Sequence, residues 1–271
     1  MKVALVGCGA IGAVLARAMA EHRVEAELVS VFDLSRERAE RLSALFEKKP
    51  EVAAGMEEVL SSEAELVIEA ASVAAARELL LPALSSGKDV LLLSVGAIAD
   101  VEFLKRVEET ARRNRRQVHI PSGAVGALDA LKSAREAELT EVKLVSTKRP
   151  EALEGAPYLA ERGISLHGLK ERKVLFSGTA REAIAGFPAN ANVAIAVSLA
   201  GLGVENTRVE IVAEPGARRN VHEILARGSF GELYFRVENL PSPENPRTSY
   251  LAALSAISTL RRLGAPLQVG T

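Results

Sequence analysis

A single cysteine among 271 residues leaves no partner for an internal disulfide. That scarcity fits a reducing compartment, and the cytoplasm is the expected location. Charge of one sign is also missing. Lys and Arg number 34 against 35 Asp and Glu, a net charge of -1, which gives no bulk electrostatic case for nucleic acid or an anionic membrane. No uninterrupted apolar run approaches the roughly 18 residues of a membrane span. The apolar stretch at the start is too short for a secretory h-region. Neither nucleic acid nor membrane is therefore an expected partner.

Several chemical motifs are lacking too. There is no HxxxH and no His/Cys cluster, so no metal site is expected. GxSxG is absent, which sets aside the serine-hydrolase elbow; Gly228-Ser229-Phe230-Gly231 has a different spacing. The chain shows no internal repeat and no low-complexity segment. Its 48% hydrophobic and 25% charged residues form an ordinary globular balance, enough for one large domain or two modest ones.

What is present begins at residue 1. Lys2 to Val6 reads as a buried strand and runs into Gly7-Cys8-Gly9-Ala10-Ile11-Gly12, a GxGxxG. Ile11, Val14, Leu15, Ala18 and Met19 then recur at helical spacing, and a second apolar run, Ala26 to Phe32, stops at Asp33. Strand, glycine turn, helix, strand and terminal acid together are the dinucleotide-binding fingerprint. Gly7 permits the tight turn, Gly9 lets the backbone approach a pyrophosphate, and Gly12 lets helix pack on strand. The N–H groups opening the helix, at Ala10, Ile11 and Gly12, face the phosphates with the positive end of the dipole. Asp33, 21 residues past Gly12, is placed to accept hydrogen bonds from ribose hydroxyls. NAD is the expected cofactor, and Arg36, just beyond Asp33, leaves NADP open. Cys8 inside the turn is read as a small packing residue.

Further along, Ser35 is a plausible cap for a charged helix to about Lys49. A weak strand at Glu51 to Ala53, a short helix from Met56 to Leu60 and a strand from Leu66 follow. The next helix spans Val73 to Ser85, a strand Asp89 to Ser94, a helix capped by Asp100 runs to about Arg113, and a short strand covers Gln117 to Ile120. This alternation predicts an α/β Rossmann-type doubly wound parallel sheet. Loops Ala70 to Ser72 and Ser94 to Ala97 would wall the cofactor beside the glycine turn. The pattern changes at Pro121. Beyond it, Glu141 to Lys148, Lys173 to Gly178, Arg208 to Ala213 and Gly231 to Asn239 read as strands, with an apolar helix over Ala191 to Gly201. This half reads as an α+β substrate domain with a mostly antiparallel sheet and helices on one face. The expected divisions are 1–121 for the dinucleotide domain, 122–244 for the substrate domain, and 245–271 for a helix returning to the first. In that helix Asn245 is the cap, Pro246 the first turn, and Leu251, Leu254, Ile257 and Leu260 an apolar stripe.

A nicotinamide enzyme must still orient substrate and manage a proton, which turns attention to the four histidines. His222 stands out from His22, His119 and His167 because Asn220 and two arginines, Arg218 and Arg219, lie close by in sequence. The motifs Val6 to Gly12, Ile120-Pro121-Ser122-Gly123-Ala124-Val125-Gly126, Phe187-Pro188-Ala189-Asn190-Ala191-Asn192-Val193, Asn220-Val221-His222-Glu223-Ile224 and Asn245-Pro246-Arg247-Thr248-Ser249-Tyr250 resemble the L-aspartate dehydrogenase family from end to end. The resemblance implies cofactor contacts at Ala124 and Asn190 and His222 as the catalytic residue. It also implies L-aspartate as substrate, a homodimer, and supply of iminoaspartate to NAD biosynthesis. Lys148, Arg149, Arg218, Arg219 and Arg247 are all candidates for the substrate carboxylates, with no choice among them. Two other readings stand beside this one: a related small-acid oxidoreductase of the dihydrodipicolinate reductase type, and a non-catalytic NAD(P)-sensing protein.

Overall fold

Short apolar runs flanked by polar turns form the first sheet of this protein, whose computed structural model describes residues 1–188, 191–242 and 248–270. The elements are β1 (Lys2–Val6), α1 (Ala10–Ala20), β2 (Glu27–Phe32), α2 (Arg36–Ser43), β3 (Glu51–Val52), α3 (Met56–Ser61), β4 (Leu66–Glu69), α4 (Val73–Ser85), β5 (Asp89–Leu92), α5 (Val101–Asn114) and β6 (Val118–His119). The strands lie in the order β3-β2-β1-β4-β5-β6, and every pair is parallel. The doubly wound sheet expected from the alternation is present. Its central strands β1 and β4 are buried along nearly their whole length, as covering helices on both faces require. Ser72 and Asp100 cap α4 and α5, accepting the N–H of Ala75 at 3.2 Å and of Phe103 at 2.7 Å.

Two local expectations fail here. Ser35 stands at the cap position of α2, but its side chain makes no capping bond. Its backbone N–H donates to Asp33 Oδ1 at 2.8 Å. The helix also ends at Ser43 rather than near Lys49. Leu45 and Phe46 donate back to Leu42 and Ser43 in tight turns, which lets Phe46 pack against the core.

The chain divides into two compact units, one made of residues 1–121 with 253–268 and the other of Ser122–Ala252 with the residues after 268. The second unit holds α6 (Leu128–Ala134), β7 (Leu139–Lys148), α7 (Pro157–Glu161), β8 (Lys173–Thr179), α8 (Ala180–Gly186), α9 (Ala191–Ala200), β9 (Arg208–Ala213), β10 (Asn220–Gly228) and β11 (Gly231–Asn239). Its sheet order is β11-β10-β7-β9-β8. Only β7 and β9 run parallel; the other three pairs are antiparallel. Val142 and Leu144 of β7, Val209 and Ile211 of β9, and Ile224 and Ala226 of β10 point into one core with Leu131, Leu159, Ala183 and Val197 from the helices. The opposite face carries ion pairs, among them Lys143–Glu210 at 2.9 Å and Arg227–Glu141 at 3.2 Å.

The last helix, α10 (Tyr250–Gly264), begins later than Asn245 and Pro246, which lie outside the described residues. Ser249 forms an antiparallel bridge with Pro241, so the chain is still extended there. Ala256, Ile257 and Leu260 of α10 are buried with Val3, Leu15 and Met19 in the core of the first unit. Among the described residues no helix is long and apolar enough to cross a membrane.

Two contacts define the ends of the parallel strands. A Cβ on Gly12 would lie 2.0 Å from the Gly7 carbonyl oxygen. Gly12→Ala should therefore lower stability by about 1–3 kcal/mol, the usual cost of overpacking, read as a shifted denaturant midpoint. Glu69, 0% exposed at the end of β4, is the second. Its Oε1 accepts Ala71 N–H and Ser94 Oγ–H, both at 2.9 Å, and its Oε2 accepts Ser94 N–H at 2.8 Å. Burial holds the carboxyl above its usual range despite those bonds. The folded state then keeps a proton that the unfolded state releases, so this group's contribution is lost as pH rises through the raised value. Glu69→Gln should flatten that decline. It should also cost about 1–3 kcal/mol at neutral pH, since an amide cannot accept from both backbone N–H groups; urea melts across pH check both effects.

Candidate functional site

The glycine turn is shaped by what would collide with it. Gly7 has φ of +100°, and a Cβ there would sit 2.6 Å from the Ala70 carbonyl, so the turn lies directly on the loop after β4. Gly9 meets nothing within 4 Å, which leaves open space over the start of α1. The helix has neither a side-chain cap nor an acidic residue in its first turn. Its first N–H groups, at Ala10, Ile11 and Gly12, lack intrahelical acceptors. Open space, free donors and the positive end of an eleven-residue helix fit the pyrophosphate of a dinucleotide.

Asp33 joins this turn directly, its Oδ2 accepting Cys8 N–H at 2.7 Å. With Oδ1 on Ser35 N–H, each oxygen still has a lone pair for a ribose hydroxyl. The nearby arginines are arranged differently from the expectation. Arg36 is exposed and paired with Glu40 at 2.8 Å. Arg38 and Arg41 instead line a cavity of about 240 Å³ with Cys8, Ala13, Leu42 and Leu45. Burial and the Asp33 charge push the Cys8 thiol up to about 12, so it is no nucleophile at neutral pH. Glu69 then fixes the other two walls, because its oxygens hold the loops at Ala71 and Ser94. Sequence reading missed that role; an acid ending an otherwise apolar strand was its signal.

The second unit gathers a separate group. His222 lies on β10 directly across from Ser146 of β7, and its Nδ1 is 3.0 Å from Ser146 Oγ. The imidazole is only 2% exposed. Burial first, and the charge of Lys148 second, lower its pKa to about 3. Lys148 follows Ser146 by two residues on the same strand face and is 8% exposed. Burial alone lowers its pKa to about 8. Ala124 is buried, and its carbonyl accepts Asn239 Nδ2 at 2.7 Å. Asn239 lies across from Asn220 in the sheet, which links Ala124 to the strand end bearing His222. Asn190 lies outside the described residues.

The remaining candidates separate from this group. His22 has φ of +55° just past α1, His119 is half-buried in β6 and His167 is exposed. Arg149, Arg218 and Arg219 are exposed, and Arg219 faces Glu238 at 3.7 Å. Arg247 is outside the described residues. Ser249 accepts from Asn220 Nδ2 at 3.5 Å. Among the described residues no group of three His, Cys, Asp or Glu side chains could hold a metal ion.

Known proteins match this arrangement in both halves. Residues 7–121 match the model for the homoserine dehydrogenase NAD-binding domain, and residues 129–263 that for the aspartate dehydrogenase C-terminal domain. The chain is 46% identical to the L-aspartate dehydrogenase of Methanosarcina acetivorans and 45% identical to that of Methanosarcina barkeri, each over 100% of both chains. The crystal structure of aspartate dehydrogenase from Thermotoga maritima superposes with a TM-score of 0.74 at 26% identity, covering 100% of this chain and 99% of that one. Fold, motifs and full-length similarity agree, and the chain belongs to the L-aspartate dehydrogenase family.

Proposed function

We propose that this protein catalyses the NAD(P)-dependent oxidation of L-aspartate to iminoaspartate, which water then converts to oxaloacetate and ammonia. The observation that carries this reading is identity above 40% to enzymes of that name along the entire chain. A bound nicotinamide would supply the acceptor for a hydride from the substrate α-carbon. The glycine turn and the N–H groups of Ala10, Ile11 and Gly12 hold the pyrophosphate. Asp33 favours NAD by accepting from the adenosine ribose, while Arg38 and Arg41 offer cations to a 2′-phosphate and so allow NADP. Ala124 and Asn190 complete the cofactor contacts by family pattern.

His222 handles the proton. Loss of hydride from the α-carbon needs a neutral amine, whose lone pair drives the step. Burial and the Lys148 charge lower the ring to about 3, which leaves it neutral but weakly basic. A substrate carboxylate offsetting the Lys148 charge raises its basicity toward the range general-base catalysis needs. In the tautomer whose Nδ1–H donates to Ser146 Oγ, the one this mechanism requires, the lone pair stands on Nε2, facing away from the serine. The same nitrogen can activate the water that releases ammonia. Ser146 is thus a positioning residue. A cytoplasmic homodimer that supplies iminoaspartate to NAD biosynthesis completes the reading.

Nicotinamide absorbance followed with L-aspartate, D-aspartate, L-glutamate and L-homoserine, in NAD and then NADP, tests the function. Turnover confined to L-aspartate is expected, and its absence with both cofactors would sink the proposal. His222→Asn should lower kcat by about 10²–10⁴-fold, the usual range for general acid–base help, with NADH affinity unchanged. Asp33→Ala should weaken NAD more than NADP, measured by fluorescence titration of the reduced cofactors; equal affinities to the parent protein would remove Asp33 from ribose recognition.

A further inference from the structure

Two lysines of this protein are buried, and the structure treats them differently. Lys88 is 5% exposed, and its Nζ donates to the carbonyls of Ser62 and Ala64, both at 2.7 Å. It is a structural lysine whose charge the fold itself satisfies. Lys148 is buried to a similar degree, yet its ammonium has no hydrogen-bond or ion-pair partner among the described residues, and burial alone acts on its proton. Its Nζ is not among the fully buried polar atoms without a partner, so the ammonium keeps a narrow opening to solvent while most of its side chain is buried. A charge so placed without a counter-charge is costly. A fold retains such a group readily where a ligand brings the missing charge.

Its position says which ligand. Alternation along β7 sends Val142, Leu144, Ser146 and Lys148 to one face, and Ser146 meets His222 across the strand pair. Two residues along a strand span about 6.6 Å, so Lys148 leaves the same strand face one side-chain position beyond the serine that meets His222. The charge of Lys148 is felt at His222. Arg149 and Arg218 are exposed, and Arg219 is exposed and shared with Glu238.

Resting on the function proposed above, we infer that Lys148 is the binding residue for a carboxylate of the dicarboxylate substrate, its counter-ion arriving with the ligand. The substrate then presents its amine toward His222 while one carboxylate occupies the ammonium. The bond formed is a charge-assisted N–H···O contact, with no covalent step.

Succinate, a dicarboxylate without an amine, isolates this contact from proton transfer. Its binding to the NADH-saturated protein is measured by calorimetry, with chloride at equal ionic strength as control, for the parent protein, Lys148→Met and Lys148→Arg. Lys148→Met should weaken succinate by about 10–100-fold, the range for a hydrogen bond to a charged group, and raise KM for L-aspartate by a similar factor with kcat changed only a few-fold. Lys148→Arg should recover part of the affinity. NADH affinity, unchanged in both variants, reports that they are folded. Unaltered succinate binding in folded Lys148→Met would overturn the assignment, and so would a collapse of kcat at constant KM, which would make Lys148 a proton acceptor. If the parent protein fails to oxidise L-aspartate, the functional reading falls, while the succinate titrations still decide whether Lys148 receives a dicarboxylate.

Discussion

The contact between Gly12 and the Gly7 carbonyl governs the first unit. With only 2.0 Å available where a Cβ would stand, α1 can lie against the turn that ends β1 because both positions are glycine. That approach aims the free N–H groups of the helix into open space above Gly9. It also brings Cys8 N–H to Asp33, so the acid at the end of β2 is fixed by the turn it serves. Glu69 extends the arrangement sideways, since one buried carboxylate gathers the loops after β4 and β5. The glycine turn, Asp33 and the flanking loops are therefore one hydrogen-bonded assembly at the strand ends, where open α/β sheets bind ligands.

Much of that assembly was legible in the residues. A GxGxxG between an apolar strand and a helix with Leu15, Ala18 and Met19 on one side has few other interpretations, and the parallel order followed from the alternation. The cap at Asp100 was local chemistry and read correctly, while the equivalent cap at Ser72 went unread. Where tertiary contacts decided, local reading went astray. Ser35 stands at the cap position without a side-chain capping bond, and Arg38 rather than Arg36 came to face the cavity beside the turn, a matter of helix phase. Strand β10 was the larger omission. Its buried positions are His222, Ile224 and Ala226, so a histidine stands where an apolar residue would have revealed the alternation. The short helices α6, α7 and α8 carried too little periodicity to be recognised. Among the carboxylate candidates, spacing alone could not distinguish exposed arginines from a buried lysine.

Buried charge has two distinct uses in this protein. Glu69 and Lys88 are surrounded by donors and acceptors of the chain, and they fix loops and strand ends in one arrangement. Lys148 and His222 are also buried but incompletely matched. The first kind of site rigidifies the scaffold, and the second keeps an unmet electrostatic demand within it. Part of the stability of the second unit is thus given up for a cation and a neutral imidazole at fixed positions on adjacent strands.

Helix α10 has a consequence for how the protein is made. Its residues 253–268 belong to the first unit, where Ala256, Ile257 and Leu260 close the core over Val3 and Leu15. Domains tend to fold in the order in which they leave the ribosome, but here the Rossmann half cannot seal its core until the second unit has been synthesised. During that interval the apolar surface around β1 and α1 that α10 covers stays open to solvent. The half of the molecule encoded first is the half finished last.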